Sequence, residues 1–161
     1  TLYVTFKLVS ETKIMFFESL VKEEFTIFTL IVDKMGRKIS DTPENYAALC
    51  LLLLFDVTEF FSDVKQIIFD RHFSRNADIE RFNKIIYTSM GKKLHISHVD
   101  SIRDKRVNIA DMVAGAVFAN ETRKDKRFYK LFEEKIISSK RVNWREVKKR
   151  FIAQKNLPEP V

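Results

Sequence analysis

Gln66–Ser101 reads QIIFDRHFSRNADIERFNKIIYTSMGKKLHISHVDS. Its opening run, Gln66–Phe69, is short and apolar and ends in Asp70, the pattern of a buried strand. Asn76 or Asp78 starts a helix that carries Ile79, Phe82, Ile85 and Ile86 and stops near Gly91. Leu94–Val99 (LHISHV) is a second strand and ends in Asp100-Ser101. Strand, helix and strand in succession argue for α/β layering, with helices covering both faces of a sheet.

The same alternation continues upstream. Phe25–Val32 (FTIFTLIV) is β-branched and aromatic on both faces, as a central strand is, with Asp33-Lys34-Met35-Gly36 as its exit turn. Thr42 as N-cap, Pro43 at the first helical position and Glu44 in the first turn begin a helix that runs to about Phe61. It is apolar nearly all round and so belongs in the centre. Before it, Leu2–Val9 alternates as a strand, and Glu11–Lys22 reads as a helix that Ser10 could cap. The chain opens at Thr1 without Met and enters that strand at once, so residues are expected upstream.

Downstream, Arg103–Arg106 reads as a charged loop and Val107–Asn120 as an apolar helix, with Asp104 or Asn108 as capping candidates. Arg127–Ile137 and Trp144–Ala153 read as basic amphipathic helices, and Leu157–Pro160 as a frayed end.

Composition bounds the answer. The 161 residues suffice for one domain with a real core, and 45% hydrophobic with 32% charged residues exclude a disordered chain. Fifteen Phe predict an aromatic core. Three Gly and three Pro exclude collagen-like or linker sequence and leave no Gly-rich phosphate loop. A single cysteine, Cys50, forbids an intramolecular disulfide and fits a reducing, cytoplasmic setting; in its apolar helix it reads as a small core residue. The longest apolar run, Tyr46–Phe55, falls short of the ~20 residues a spanning helix needs, so no membrane partner is expected.

The net charge of +7 is unevenly placed. Arg123–Arg150 holds 12 basic and 4 acidic residues, so the remainder is close to neutral. Arg141, Arg145, Lys148 and Lys149 make a patch that attracts phosphate backbones without reading sequence. A solvated helix face that keeps the protein soluble explains the same charges. Trp144 among them could stack on a base or anchor the last helix by packing; packing is the commoner role.

Chemistry, if present, concentrates at strand ends. Three strands lead into Asp33, Asp70 and Asp100, although Asp33 is equally explained as a turn residue. Asp111 lies inside an apolar helix, where an ionised carboxylate asks for a metal, Lys or Arg. A half-exposed Asp near the helix start, favoured by the dipole, is the alternative. A strand-end Asp with a helix Asp is a donor set for Mg²⁺ or Mn²⁺, and two such ions can serve phosphodiester displacement. His95 and His98 lie three apart in a strand and face opposite ways, so they cannot share one ion. His72 follows Asp70 and reads as a loop residue, and Ser101 lacks a nucleophile-elbow sequence.

Ile67-Ile68-Phe69-Asp70-Arg71, then LHISHVDS at Leu94–Ser101, then NIADMVAGA at Asn108–Ala116 together resemble the domain of unknown function 3800. That family is similar in fold to ribonuclease H and retroviral integrases. Its hallmark is an (I/L)ADxxAG helix after a strand ending in DS, and the resemblance covers about residues 2–120. It implies a three-layer α/β fold with a mixed central sheet flanked by helices and lacking the first two strands. The core would be residues 1–120, with a basic helical extension over 121–157 packed on it as one domain. It also implies a metal-dependent nuclease or a relative of one. Asp70 and Asp111 would hold Mg or Mn, Lys7 would correspond to the family's strand lysine, and Asp100-Ser101 to its polar pair. The family's first strand carries an Asp-Glu-Ser-Gly box that this sequence lacks. Either that strand lies upstream, or the chain is a silent module that binds nucleic acid or protein on the same fold.

Overall fold

The structure is a computed structural model that describes residues 10–91, 94–100 and 104–155. It is α/β, with α1 (Ser10–Leu20), β1 (Ile27–Asp33), α2 (Pro43–Phe60), β2 (Gln66–Asp70), α3 (Asn76–Met90), β3 (His95–Val99), α4 (Lys105–Arg123), α5 (Tyr129–Phe132), β4 (Ile136–Asn143) and α6 (Trp144–Lys155). The expected strand Leu2–Val9 lies outside the described residues.

The described strands do not join one central sheet. They pair as two separate two-stranded parallel sheets, β1 with β4 and β2 with β3. The second pair is a βαβ unit: α3 supplies the crossover that a parallel pair requires. The described residues form two compact units, one from those within Thr1–Thr29 and Val99–Ser138, the other from those within Leu30–His98 and Ser139–Val161.

In the second unit α2 is the central element, and the sequence shows why. Thr42 is extended (φ −120°, ψ 153°) and its Oγ1 accepts from Asn45 N at 3.3 Å, with Pro43 opening the helix. Beyond the cap, both sides of α2 are covered. Ala47 and Leu51 join Ile67, Phe73, Phe82, Ile86, Met90 and Leu94 in one cluster. Ala48, with Leu49 and Leu52, meets Val142, Trp144 and Val147 in another. A helix buried on opposite sides must be apolar all round. Burial pushes the Cys50 thiol up to about 12, against a weaker opposing hydrogen bond from Tyr46, which removes it as a nucleophile at neutral pH. Gly91 ends α3 in the left-handed region (φ 57°), its N–H returning to Tyr87 O at 3.3 Å.

The first unit packs α1 and α4 on α5. Phe17 is 1% exposed and sits 5.1 Å from the Phe132 ring and 6.1 Å from that of Phe128. Val107, Val113, Ala116 and Val117 bury the inner side of α4.

Two expectations fail here. Lys105 and Arg106 belong to α4, not to a loop, because the helix begins one residue after Asp104, whose carbonyl accepts from Asn108 N at 3.3 Å. Arg127–Ile137 is not one helix. α5 spans four residues, a single 3-10 turn follows at Glu133–Lys135, and the chain then extends into β4. Residues Ile136–Asn143 (IISSKRVN) alternate half-buried with exposed positions over most of their length, and pairing with β1 fixes them. Thr29 Oγ1 donates to Ser138 O across that pair at 3.5 Å.

Candidate functional site

The last expected helix holds: α6 starts at Trp144. A reciprocal capping box opens it, Glu146 N donating to Asn143 Oδ1 and Asn143 N to Glu146 Oε2, both at 3.0 Å. That box also occupies the one acid of the first turn. Trp144, Val147 and Phe151 turn inward, Trp144 being 7% exposed in the cluster with Ala48 and Val142. Trp144 is therefore a packing anchor and offers no stacking platform. Arg145, Lys148 and Lys149 are exposed, and their spacing puts them on one side of the helix. Lys148 Nζ lies 5.8 Å from the Trp144 ring centroid, an arrangement that still leaves its charge at the surface. Among the described residues Arg145, Lys148 and Lys149 have no ion-pair partner. Arg141 is exposed on β4 just upstream.

The acidic candidates fare differently. Asp33 ends β1, is exposed, and its Oδ1 accepts from Met35 N at 2.7 Å. It braces a turn in which Met35 (φ 51°) and Gly36 (φ 70°) are both left-handed, so the turn explanation suffices. Asp70 is the last residue of β2 and half-buried. Phe69 beside it packs on Phe82 of α3, so strand alternation turns Asp70 to the other face of the sheet. Asp111 is half-buried in the second turn of α4, beyond the first-turn position that the helix dipole favours. Asp70 and Asp111 fall in different units, and each has interactions of its own. Asp100 is exposed, its carbonyl accepting from Asp104 N at 3.0 Å, while Lys7 and Ser101 lie outside the described residues. Among the described residues no group of three or more His, Cys, Asp or Glu comes together to hold a metal ion.

Compared with family models, curated proteins and solved structures, the chain finds no match. The family resemblance therefore stands on the quoted motifs alone.

Sequence reasoning gave the histidines little weight, and two of them organise the end of β2. His72 Nε2 lies 2.5 Å from Asp41 Oδ1, and the ring stacks on Tyr46 at 4.1 Å. This joins the loop after β2 to the start of α2. His98 on β3 sits between the rings of Phe69 and Phe82, each at 5.7 Å, and its Nε2 lies 2.8 Å from Asn83 Oδ1. Asn83 Oδ1 only accepts, so Nε2 carries the proton. Burial first, and the Arg71 charge second, hold His98 below the ordinary histidine value. His98 is therefore a neutral structural ring at physiological pH. No signal in the local sequence marks these pairs, because their partners lie 31 and 15 residues away.

No helix among the described residues is long and apolar enough to cross a membrane.

Proposed function

We propose that the chain is a nucleic-acid-binding module on an α/β scaffold, with α6 as the face that tracks a phosphate backbone. The observation that carries this is the outer side of α6. Arg145, Lys148 and Lys149 line up exposed and without acidic partners, while the nearby Glu146 is held in the capping box. With Trp144 buried, this face has charge but no ring, which favours backbone contact over base stacking. Arg141 extends the patch. The test is fluorescence anisotropy with a short DNA or RNA duplex across salt. Each lost phosphate contact lowers the slope of log affinity against log salt by about 0.9. Arg145→Gln, Lys148→Gln and Lys149→Gln combined are expected to flatten it by about three contacts. Absence of binding at low salt, or a slope unchanged in the triple variant, overturns the reading.

A second reading is metal-dependent phosphodiester hydrolysis of the ribonuclease H kind. What favours it is Asp70 closing a strand of a parallel pair, where α/β folds gather their ligands. On the family resemblance, Asp70 and Asp111 are its proposed Mg or Mn ligands and Lys7 the residue that steadies charge at the scissile phosphate, with Asp100, Ser101 and Asp33 in support. Calorimetric titration with Mn²⁺ tests it. Binding that is absent, or unaltered in Asp70→Asn and Asp111→Asn, rules out the metal assignment.

A further inference from the structure

A groove of about 520 Å³ opens in the second unit between α2, α6, β1 and β4. Clefts of this size hold small ligands, typically about 300–1,000 Å³. Its floor is apolar and includes one ring: Leu30, Leu52, Phe55 and Val142. The rim is charged, and its charges are unequally committed. Lys140 is taken, its Nζ 2.6 Å from Asp56 Oδ1 and 3.9 Å from Glu59 Oε2. Glu59 is held only at that longer distance, and its side chain is 78% exposed. Arg150 is exposed and, among the described residues, has no ion-pair partner.

An apolar floor that includes the Phe55 ring, a loosely held acceptor and an uncommitted guanidinium ask for a ligand with three matching parts. It needs a planar face, a pair of hydrogen-bond donors and an anionic group. We propose that this groove holds one guanine nucleotide, the base lying on Phe55 and its aliphatic neighbours and the phosphate on Arg150. The N1–H and the amino group of guanine would donate to the Glu59 carboxylate, which can only accept. Adenine presents one donor beside one acceptor on that edge, so it fits worse. The Arg150 fork suits phosphate oxygens. The proposal rests on the nucleic-acid reading above and extends it from backbone to base.

The test is calorimetric titration with GMP, AMP, guanosine, inorganic phosphate and octanoate, with fluorescence of Trp144 alongside. Trp144 is the only tryptophan and packs with Leu30, Leu52 and Val142, so a ligand on the floor perturbs it. GMP is expected to bind saturably, at least about tenfold more tightly than AMP or phosphate. Glu59→Gln should bring GMP and AMP to within about twofold of each other. Arg150→Gln should weaken GMP about tenfold and leave guanosine unchanged. Both substitutions are at exposed positions, and circular dichroism confirms that the fold survives. No saturable GMP binding, equal GMP and AMP affinities, or phosphate binding as tightly as GMP each overturns the proposal. Tighter binding of octanoate than of GMP does so too, and assigns the groove to an apolar acid. Arg145→Gln with Lys149→Gln separates the two readings. GMP binding that survives while duplex binding falls leaves the groove standing on its own. Duplex binding without any GMP binding sinks the groove alone.

Discussion

The surroundings of α2 and the outer side of α6, both in the second unit, treat charge in opposite ways. Around α2 three charged side chains meet a partner: Lys140 meets Asp56, Arg81 meets Glu44, and Asp41 meets the His72 ring. On α6, within the same unit, Arg145, Lys148 and Lys149 have none among the described residues. Paired charges near a core hold structure, whereas a row of unpaired like charges costs some self-repulsion and contributes nothing to packing. The difference separates what folds this unit from what is left to meet a partner.

The comparison breaks first at the core. Phe82 is fully buried at the meeting point of Phe69, Phe73, Tyr46 and His98. Phe82→Ala should lower stability by about 3–5 kcal/mol, read from the urea midpoint. A loss under 1 kcal/mol would mean the ring cluster is not the core.

Removing a structural cation should cost less, and removing an α6 cation almost nothing. Lys140→Met leaves the buried Asp56 without its ammonium partner and should cost about 1–3 kcal/mol. Arg145→Gln should shift stability by no more than about 0.5 kcal/mol while weakening duplex binding. Equal stability losses at the two sites would erase the distinction between them. Thr42→Ala falls between, at about 1 kcal/mol, since it removes the cap that Asn45 N uses.

The sequence is legible where a signal is local. The Thr42-Pro43 start of α2, the Gly91 stop of α3 and the buried run of β2 all depend on residues within a turn or two of each other. β4 was hidden because Ser138-Ser139-Lys140-Arg141 has no apolar alternation, and its extended form comes from β1, over a hundred residues earlier. The same remoteness explains why one sheet was expected and two pairs are found. Pairing partners are chosen by tertiary packing, which strand propensity does not encode. At the candidate site, the α6 cations could be read by eye, but Arg150, Glu59 and the groove floor come from three elements and converge only on folding.

The smallest effect concerns a charge pair in the first unit that is bound yet solvent-facing. Asp125 accepts from the Arg127 guanidinium at 3.0 and 2.8 Å and from its backbone N at 3.2 Å. The side-chain bonds, then the backbone bond, pull the Asp125 pKa from 3.8 down to about 2. A depressed folded value means that the pair adds stability above the unfolded pKa. That contribution is lost as the pH falls from about 4 toward about 2. The gain is slight because water and salt screen an exposed pair. Carboxyl NMR titration should show Asp125 protonating well below the ordinary aspartate value of 3.8, and Arg127→Gln should return it toward 3.8. Urea midpoints at pH 7 should barely move in that variant. A large loss there would show that a surface pair can carry structure as the Lys140 contact to buried Asp56 does, and the contrast between paired and unpaired charge would need another basis.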